Sequence, residues 1–234
     1  MNPNQNAAID DVAVLSEPVR RALYAHVAEQ PQPVGRDAAA VAVGVSRSLA
    51  AFHLDRLVDA GLLDVTYRRL SGRSGPGAGR PAKLYLRSSR QVELSLPARR
   101  YELAARLFAD ALSRGTAGET STRDALNAAA RSFGQTMGEE ARRRAGPRPG
   151  RKALIAAAMD VLGESGFEPV PGESDVIALR NCPFDSIAQT HRDLVCGMNV
   201  SLMDGVIAGL RATGVHAELD RQPGMCCVVW RRDS

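Results

Sequence analysis

Through the first sixty residues, apolar side chains return every three or four positions. Leu15, Val19, Leu23 and Val27, with Ala22 beside them, form one helical stripe. Ser16 stands where an N-cap belongs, Glu17 and Pro18 occupy the first turn, and Pro31 and Pro33 end the run. A second, short helix fits Asp37 to Val43, because Gly44 can take the left-handed conformation that closes a helix. A third runs from a Ser46 cap to Ala60 and stops at Gly61. It carries Ala50, Leu54, Leu57 and Val58 on one side and Ser48, Phe52, Asp55 and Arg56 on the other. At Leu63 the period changes from helical to alternating: Leu63, Val65 and Tyr67 interleave with Asp64, Thr66 and Arg68, which predicts a strand over 63–70. Residues 71–81, SGRSGPGAGRP, hold four glycines and no regular pattern, and KLYLR at 83–87 reads as the returning strand.

Farther on, two long helices are predicted. One covers 96–115 through Leu103, Leu107, Ala111 and Leu112; the other covers 122–144 through Leu126, Ala130, Phe133 and Met137. RRRAGPRPGR at 142–151 reads as a linker. The last third predicts a helix over 153–166, a strand over 175–180, helices over 184–196 and 197–213 (joined near Asp193 or packed as one bent element), and a closing hairpin from 217–219 and 225–230. The expected class is therefore α+β, mainly α. Residues 1–90 make a winged helix-turn-helix, two short helices about a glycine turn followed by a hairpin. Residues 91–150 make a helical connector, and 151–234 a small α+β domain.

Charge sharpens this picture. The 234-residue chain carries a net charge of +4, but its 64–90 segment holds 7 basic residues against 1 acidic. A basic stripe of this kind is the electrostatic footprint expected for double-stranded DNA. Two DNA half-sites need a two-fold protein, so a homodimer joined through 91–150 is expected, with plain connector as the other reading of those helices. The opening MNPNQNAAIDD has no signal-peptide character, and no apolar run reaches the ~18 residues of a membrane span. The expected setting is the cytoplasm, with no membrane partner.

The cysteines stand apart. None occurs in the first 181 residues, and all four fall in NCPFDSIAQTHRDLVCGMN and GMCCVVW: Cys182, Cys196, Cys226 and Cys227. Where thiols stay reduced, clustered cysteines serve as ligands or reactive groups more often than as staples. No CxxC pair marks a zinc ribbon; 13 residues separate Cys182 from Cys196, and 29 separate Cys196 from Cys226. Thiolates suit zinc, copper(I) and iron–sulfur chemistry. If 225–230 is a strand, Cys226 and Cys227 point to opposite faces, and Cys226, sharing its face with Val228 and Trp230, is favoured as the inward ligand; both can reach one ion only if the strand breaks there, for which Gly224 gives the opportunity. Packed or merely redox-active cysteines are a further reading, as is an apolar-ligand pocket with structural cysteines. An enzyme using Cys182 or Cys196 with His191 as base lacks an oxyanion-hole motif and an orienting carboxylate, so no enzymatic activity is expected. His53, beside an apolar face, is expected to be packed.

LSEPVRRAL, VSRSLAAFHLDRLVDAGLL and GRPAKLYLR resemble the ArsR-like winged-helix transcription regulators over roughly residues 10–90. The resemblance implies that the third helix enters the major groove, with Arg47, Ser48, Phe52 and Arg56 as contacts. Phe52 either meets a thymine methyl or the wing, or folds back against the second helix. Arg68, Arg69, Arg73, Arg80 and Lys83 of the wing would meet phosphates or a narrow minor groove. CPF…CGMN…CC is similar to the SufR-type branch, whose C-terminal cysteines bind an iron–sulfur cluster. That branch's further cysteine would fall near Arg211, so either His191, Cys227 or an external ligand completes the set here, or the chain binds something else. The implied function is a transcriptional regulator, a repressor, that senses a cluster, a metal such as zinc, or redox state.

Overall fold

A computed structural model describes residues 3–69, 81–115, 121–172 and 177–233. The protein is α+β and mainly helical, and it divides into two compact units, Pro3–Leu94 and Ser95–Ser234.

In the first unit, helix α1 (Pro3–Ala13) leads through a single 3-10 turn into α2 (Pro18–Glu29). The cap of α2 is Glu17 rather than the expected Ser16. Its carboxylate accepts from the amides of Val19 at 3.1 Å and Arg20 at 2.6 Å, which a serine one residue earlier does not. These hydrogen bonds to the charged form hold the Glu17 carboxyl below its ordinary value. A two-residue strand β1 (Val34–Gly35) precedes α3 (Arg36–Val43), and Gly44 closes α3 at φ 73° as expected. Ser46 then caps α4 (Arg47–Asp59), accepting from the Leu49 amide at 3.2 Å. Strands β2 (Leu63–Arg68) and β3 (Ala82–Arg87) pair antiparallel, and β1 joins the far edge of β3. Leu23, Val27, Leu54, Leu57, Leu63 and Tyr85 fill the core between helices and sheet. His53 is packed there as expected, its Nδ1 accepting from Arg20 Nε at 3.3 Å.

The second unit begins with α5 (Tyr101–Gly115), five residues later than the sequence predicts. The preceding turn is held elsewhere: the Arg100 amide donates to the Pro183 carbonyl at 2.9 Å, and Arg99 donates to Asn181 Oδ1 at 2.6 Å. Helix α6 (Thr122–Ala145) absorbs Arg142–Arg144, so the expected linker shrinks to the turn at Gly146–Gly150 before α7 (Arg151–Glu164). Strands β4 (Pro169–Pro171) and β5 (Ile177–Leu179) form one antiparallel pair. Helices α8 (Asp185–Thr190) and α9 (Arg192–Leu210) follow, and β6 (Val215–Leu219) and β7 (Val228–Arg232) close the chain as a second pair. Leu107, Leu126 and Met137 share one core with Leu162, Leu202 and Trp230. Residues 91–150 therefore do not stand as a separate connector. Leu107, Ala111, Leu126, Ala130 and Met137 of the two stripes enter this shared core, while Leu112 and Phe133 stay exposed.

Helix α9 organises this body. It runs unbroken through Gly197, where the sequence divides two helices, and starts after a kink at His191, close to the join the sequence also offers near Asp193. Against it lies α6, at backbone contact. A Cβ placed on Gly134 would stand 1.9 Å from the Leu202 carbonyl oxygen, and one on Gly138 2.1 Å from that of Val206. Reciprocally, Cβ atoms on Gly205 and Gly209 would stand 2.1 and 2.2 Å from the oxygens of Arg131 and Gln135. Two glycines four residues apart on each helix remove the side chains that would hold the axes at ordinary spacing. Among the described residues α9 is also the one helix long and apolar enough to cross a membrane, an exception to the sequence expectation. Here its apolar side chains are covered by α6 and by the β6–β7 hairpin.

Candidate functional site

Strand β5 delivers the chain to Asn181, which is buried and fully used: its Nδ2 donates to the carbonyls of Ala98 at 2.8 Å and Gly166 at 2.6 Å. That anchor places Cys182 at the start of a tight turn, in which the Asp185 amide donates back to the Cys182 carbonyl at 3.1 Å. Cys196 comes from the second turn of α9. Cys226 and Cys227 lie before β7, in the loop that turns at Gly224 with φ 74°, so the predicted strand alternation does not govern them. The Cys226 amide donates to the Leu179 carbonyl at 2.8 Å and locks this loop against β5.

All four cysteines line one cavity of about 360 Å³, together with Asp185, Arg192, Arg221 and Met225. Cys196 and Cys227 are joined as a disulfide with a Cα–Cα distance of 6.6 Å. Cys182 and Cys226 are free thiols, Cys226 only 2% exposed, and their sulfurs are in hydrogen-bond contact. The Cys226 thiol donating to it holds the Cys182 thiol below its ordinary value, with the Phe184 amide adding to the effect. Cys226 is pushed up by that same bond and by burial. Asn199 Nδ2 donates to the Cys226 sulfur at 3.3 Å, while Asn199 Oδ1 is buried without a partner among the described residues.

His191, expected as a candidate fourth ligand, is exposed at the start of α9 and does not line the cavity; Cys227, expected on the opposite face, does. Asn199 and the Asn181 anchor escaped the sequence reading. A polar residue at the buried spacing of the apolar helix α9 was the available signal for Asn199. Among the described residues no three His, Cys, Asp or Glu side chains stand ready to hold a metal ion. Two of the four sulfurs are tied to each other, and a disulfide sulfur is not a thiolate donor.

The second candidate surface is the outward face of α4. Arg47, Ser48 and Arg56 are exposed, and Phe52, 53% exposed, is not folded against the second helix. The Arg56 guanidinium sits 5.7 Å from the centre of the Phe52 ring. Arg47 pairs with Asp37 of α3, and Ser48 Oγ lies 3.1 Å from Ser46 Oγ. Arg68 and Arg69 are exposed at the end of β2, whereas Arg73 and Arg80 lie outside the described residues. Lys83, expected as a phosphate-binding cation, is paired: its Nζ donates to Asp55 Oδ1 at 2.6 Å, and Tyr85 OH donates to the same oxygen at 2.8 Å. These two bonds hold the Asp55 carboxyl below its ordinary value against the opposing effect of burial. Because a depressed carboxyl stabilises the fold above its unfolded pKa, this contribution should fade as pH falls from roughly 4 through the folded value. Asp55→Ala, which strips the buried Tyr85 hydroxyl of its acceptor, should cost about 1 kcal/mol at pH 7. A difference from the parent that persists unchanged in unfolding curves at pH 3 would contradict this assignment.

No protein-family model, no curated protein and no solved structure matches this chain.

Proposed function

We propose that the chain is a DNA-binding transcriptional regulator, a winged-helix repressor acting as a homodimer, whose C-terminal unit senses a soft metal or iron–sulfur cluster through its cysteines. The observation that carries the sensor reading is the convergence of Cys182, Cys196, Cys226 and Cys227 on one cavity from three separate segments. Four sulfur donors are of the type that zinc or an iron–sulfur cluster takes, once the Cys196–Cys227 disulfide is reduced and the sulfurs are drawn together. Such a group, when bound, supplies a charge and redox state that favour one arrangement of the domain over another. The chain's own contribution is positional: the Cys226 amide bond to β5 and the Asn181 anchor fix two of the sulfurs, and Asn199 donates to one of them.

The DNA-binding reading is supported by the order of α2, α3, α4 and the β2–β3 hairpin, and by the exposed Arg47, Ser48, Phe52 and Arg56 on one face of α4. Arg47→Ala or Arg56→Ala should relax sequence preference by ~1–3 kcal/mol if the side chain reads a base. A double Arg68→Ala, Arg69→Ala variant should weaken binding to all sequences alike and flatten the salt dependence. Fluorescence-anisotropy titrations against random and selected duplexes at several salt concentrations separate the two effects. For the sensor, the chain is purified anaerobically from iron-supplemented cells and assayed for iron, sulfide and zinc. A preparation with none of the three sinks the sensor reading.

A further inference from the structure

We propose that the cysteine pocket is, without any metal, a thiol–disulfide exchange centre in which Cys182 attacks the Cys196–Cys227 disulfide and which small thiols and disulfides enter through the same cavity. Three observations combine here. One pair of cysteines is oxidised and the other is not. Cys226 of the reduced pair is joined through one peptide bond to Cys227 of the disulfide. All four line one cavity of about 360 Å³ that is open to solvent and large enough for a small peptide thiol. Arg192 stands on its wall, with Arg221, which also pairs with the exposed Asp193 at 3.4 Å, and with one carboxylate, Asp185; the two arginines are cationic partners for the carboxylates that a tripeptide thiol of the glutathione class carries.

The chemistry closes without outside electrons in the first step. The Cys182 S–H gives its proton to solvent, its sulfur bonds to Cys196 or Cys227, and the existing S–S bond breaks. The departing sulfur leaves as thiolate and takes up a proton, so the chain still holds one disulfide. A small disulfide R–S–S–R adds a second. Cys182 attacks one of its sulfurs and releases R–SH; Cys226 then attacks the mixed disulfide, releases the second R–SH and closes Cys182–Cys226. Two electrons pass from the protein to the small disulfide. Two small thiols run the reverse course on Cys196–Cys227. The chain thus has three states, with no, one or two disulfides. Building on the metal-sensor reading, only the first of these offers four thiolates, so oxidation and metal compete for the same sulfurs.

The test uses the full chain stripped of metal by a chelator. After acid quench and denaturation, alkylation should add two labels per chain, none after treatment with oxidised glutathione, and four after reduced dithiothreitol. Peptide mapping should find Cys196 linked to Cys227 first and Cys182 linked to Cys226 after oxidation. In Cys226→Ser, checked for parental circular dichroism, peptides linking Cys182 to Cys196 or Cys227 should accumulate. If that variant does not fold, Cys226→Ala is mapped in its place, and a folded variant that holds only the Cys196–Cys227 link overturns the proposal. Four labels before any reductant, or glutathione left attached to Cys182 in place of a second disulfide, overturns the proposal. A chain that takes up no iron or zinc but steps through these labels loses its metal-sensor reading and keeps the exchange centre. A chain that binds metal through inert thiols does the opposite.

Discussion

Gly138→Ala or Gly205→Ala should each destabilise the C-terminal unit by about 3 kcal/mol and lower its melting temperature by on the order of 10 °C. The new methyl group would stand 2.1 Å from the Val206 or the Arg131 carbonyl oxygen. Both atoms are helix backbone, which cannot rotate aside as a side-chain terminus does, so the two helices must separate along their length. Separation would loosen the contacts of Leu202, Val206 and Leu210 with the shared core, and the loss of close packing adds to the clash. Gly197→Ala is the control. It lies on the same α9 helix with nothing within 4 Å of the added atom, and there the higher helix propensity of alanine should add roughly 0.8 kcal/mol. Denaturant unfolding of the three variants reads the contrast directly. Parental midpoints for Gly138→Ala and Gly205→Ala would mean that α6 and α9 do not meet at their backbones.

Cys227→Ser should abolish metal or cluster binding as completely as Cys182→Ser, Cys196→Ser or Cys226→Ser, while His191→Ala should bind as the parent does. This reverses what strand alternation predicts, and the reason is local. Cys226 and Cys227 precede β7, so no pleat forces them apart, and the turn at Gly224 brings both to the same cavity. His191 starts α9 on the exposed side and its ring has no place among the cavity's lining residues. Metal content per chain after anaerobic reconstitution, measured beside the circular dichroism of each variant, decides between the two. Retained metal in Cys227→Ser together with loss in His191→Ala would restore the histidine as fourth ligand. Retained metal in all four serine variants would remove the cysteines from the site altogether. A working switch also requires that the loaded and empty chains differ in DNA affinity, since a ligand shifts an equilibrium only by its differential affinity for two states.

Local rules were legible in the amino-acid order wherever one residue decides the outcome. Gly44 ends α3, Ser46 opens α4, the change of period at Leu63 starts β2, and Ala50, Leu54 and Leu57 turn inward together. Each follows from a backbone conformation or a side-chain period that holds within a few residues. The α4 face of Arg47, Ser48, Phe52 and Arg56 follows from the same period, because a stripe that is buried defines the one that is exposed. The gathering of the cysteines could not be read this way. Cys182 is set by an asparagine that bonds to Ala98 and Gly166, and Cys226 by an amide that bonds to Leu179. These partners are separated by up to 83 residues. Nor does any local signal say that α5 and α6 share a core with β7, or that GxxxG on α6 faces GxxxG on α9. Helical spacing states which positions share a face; only the packed molecule determines what that face meets, because the energy of burial is indifferent to where along the chain the partner lies.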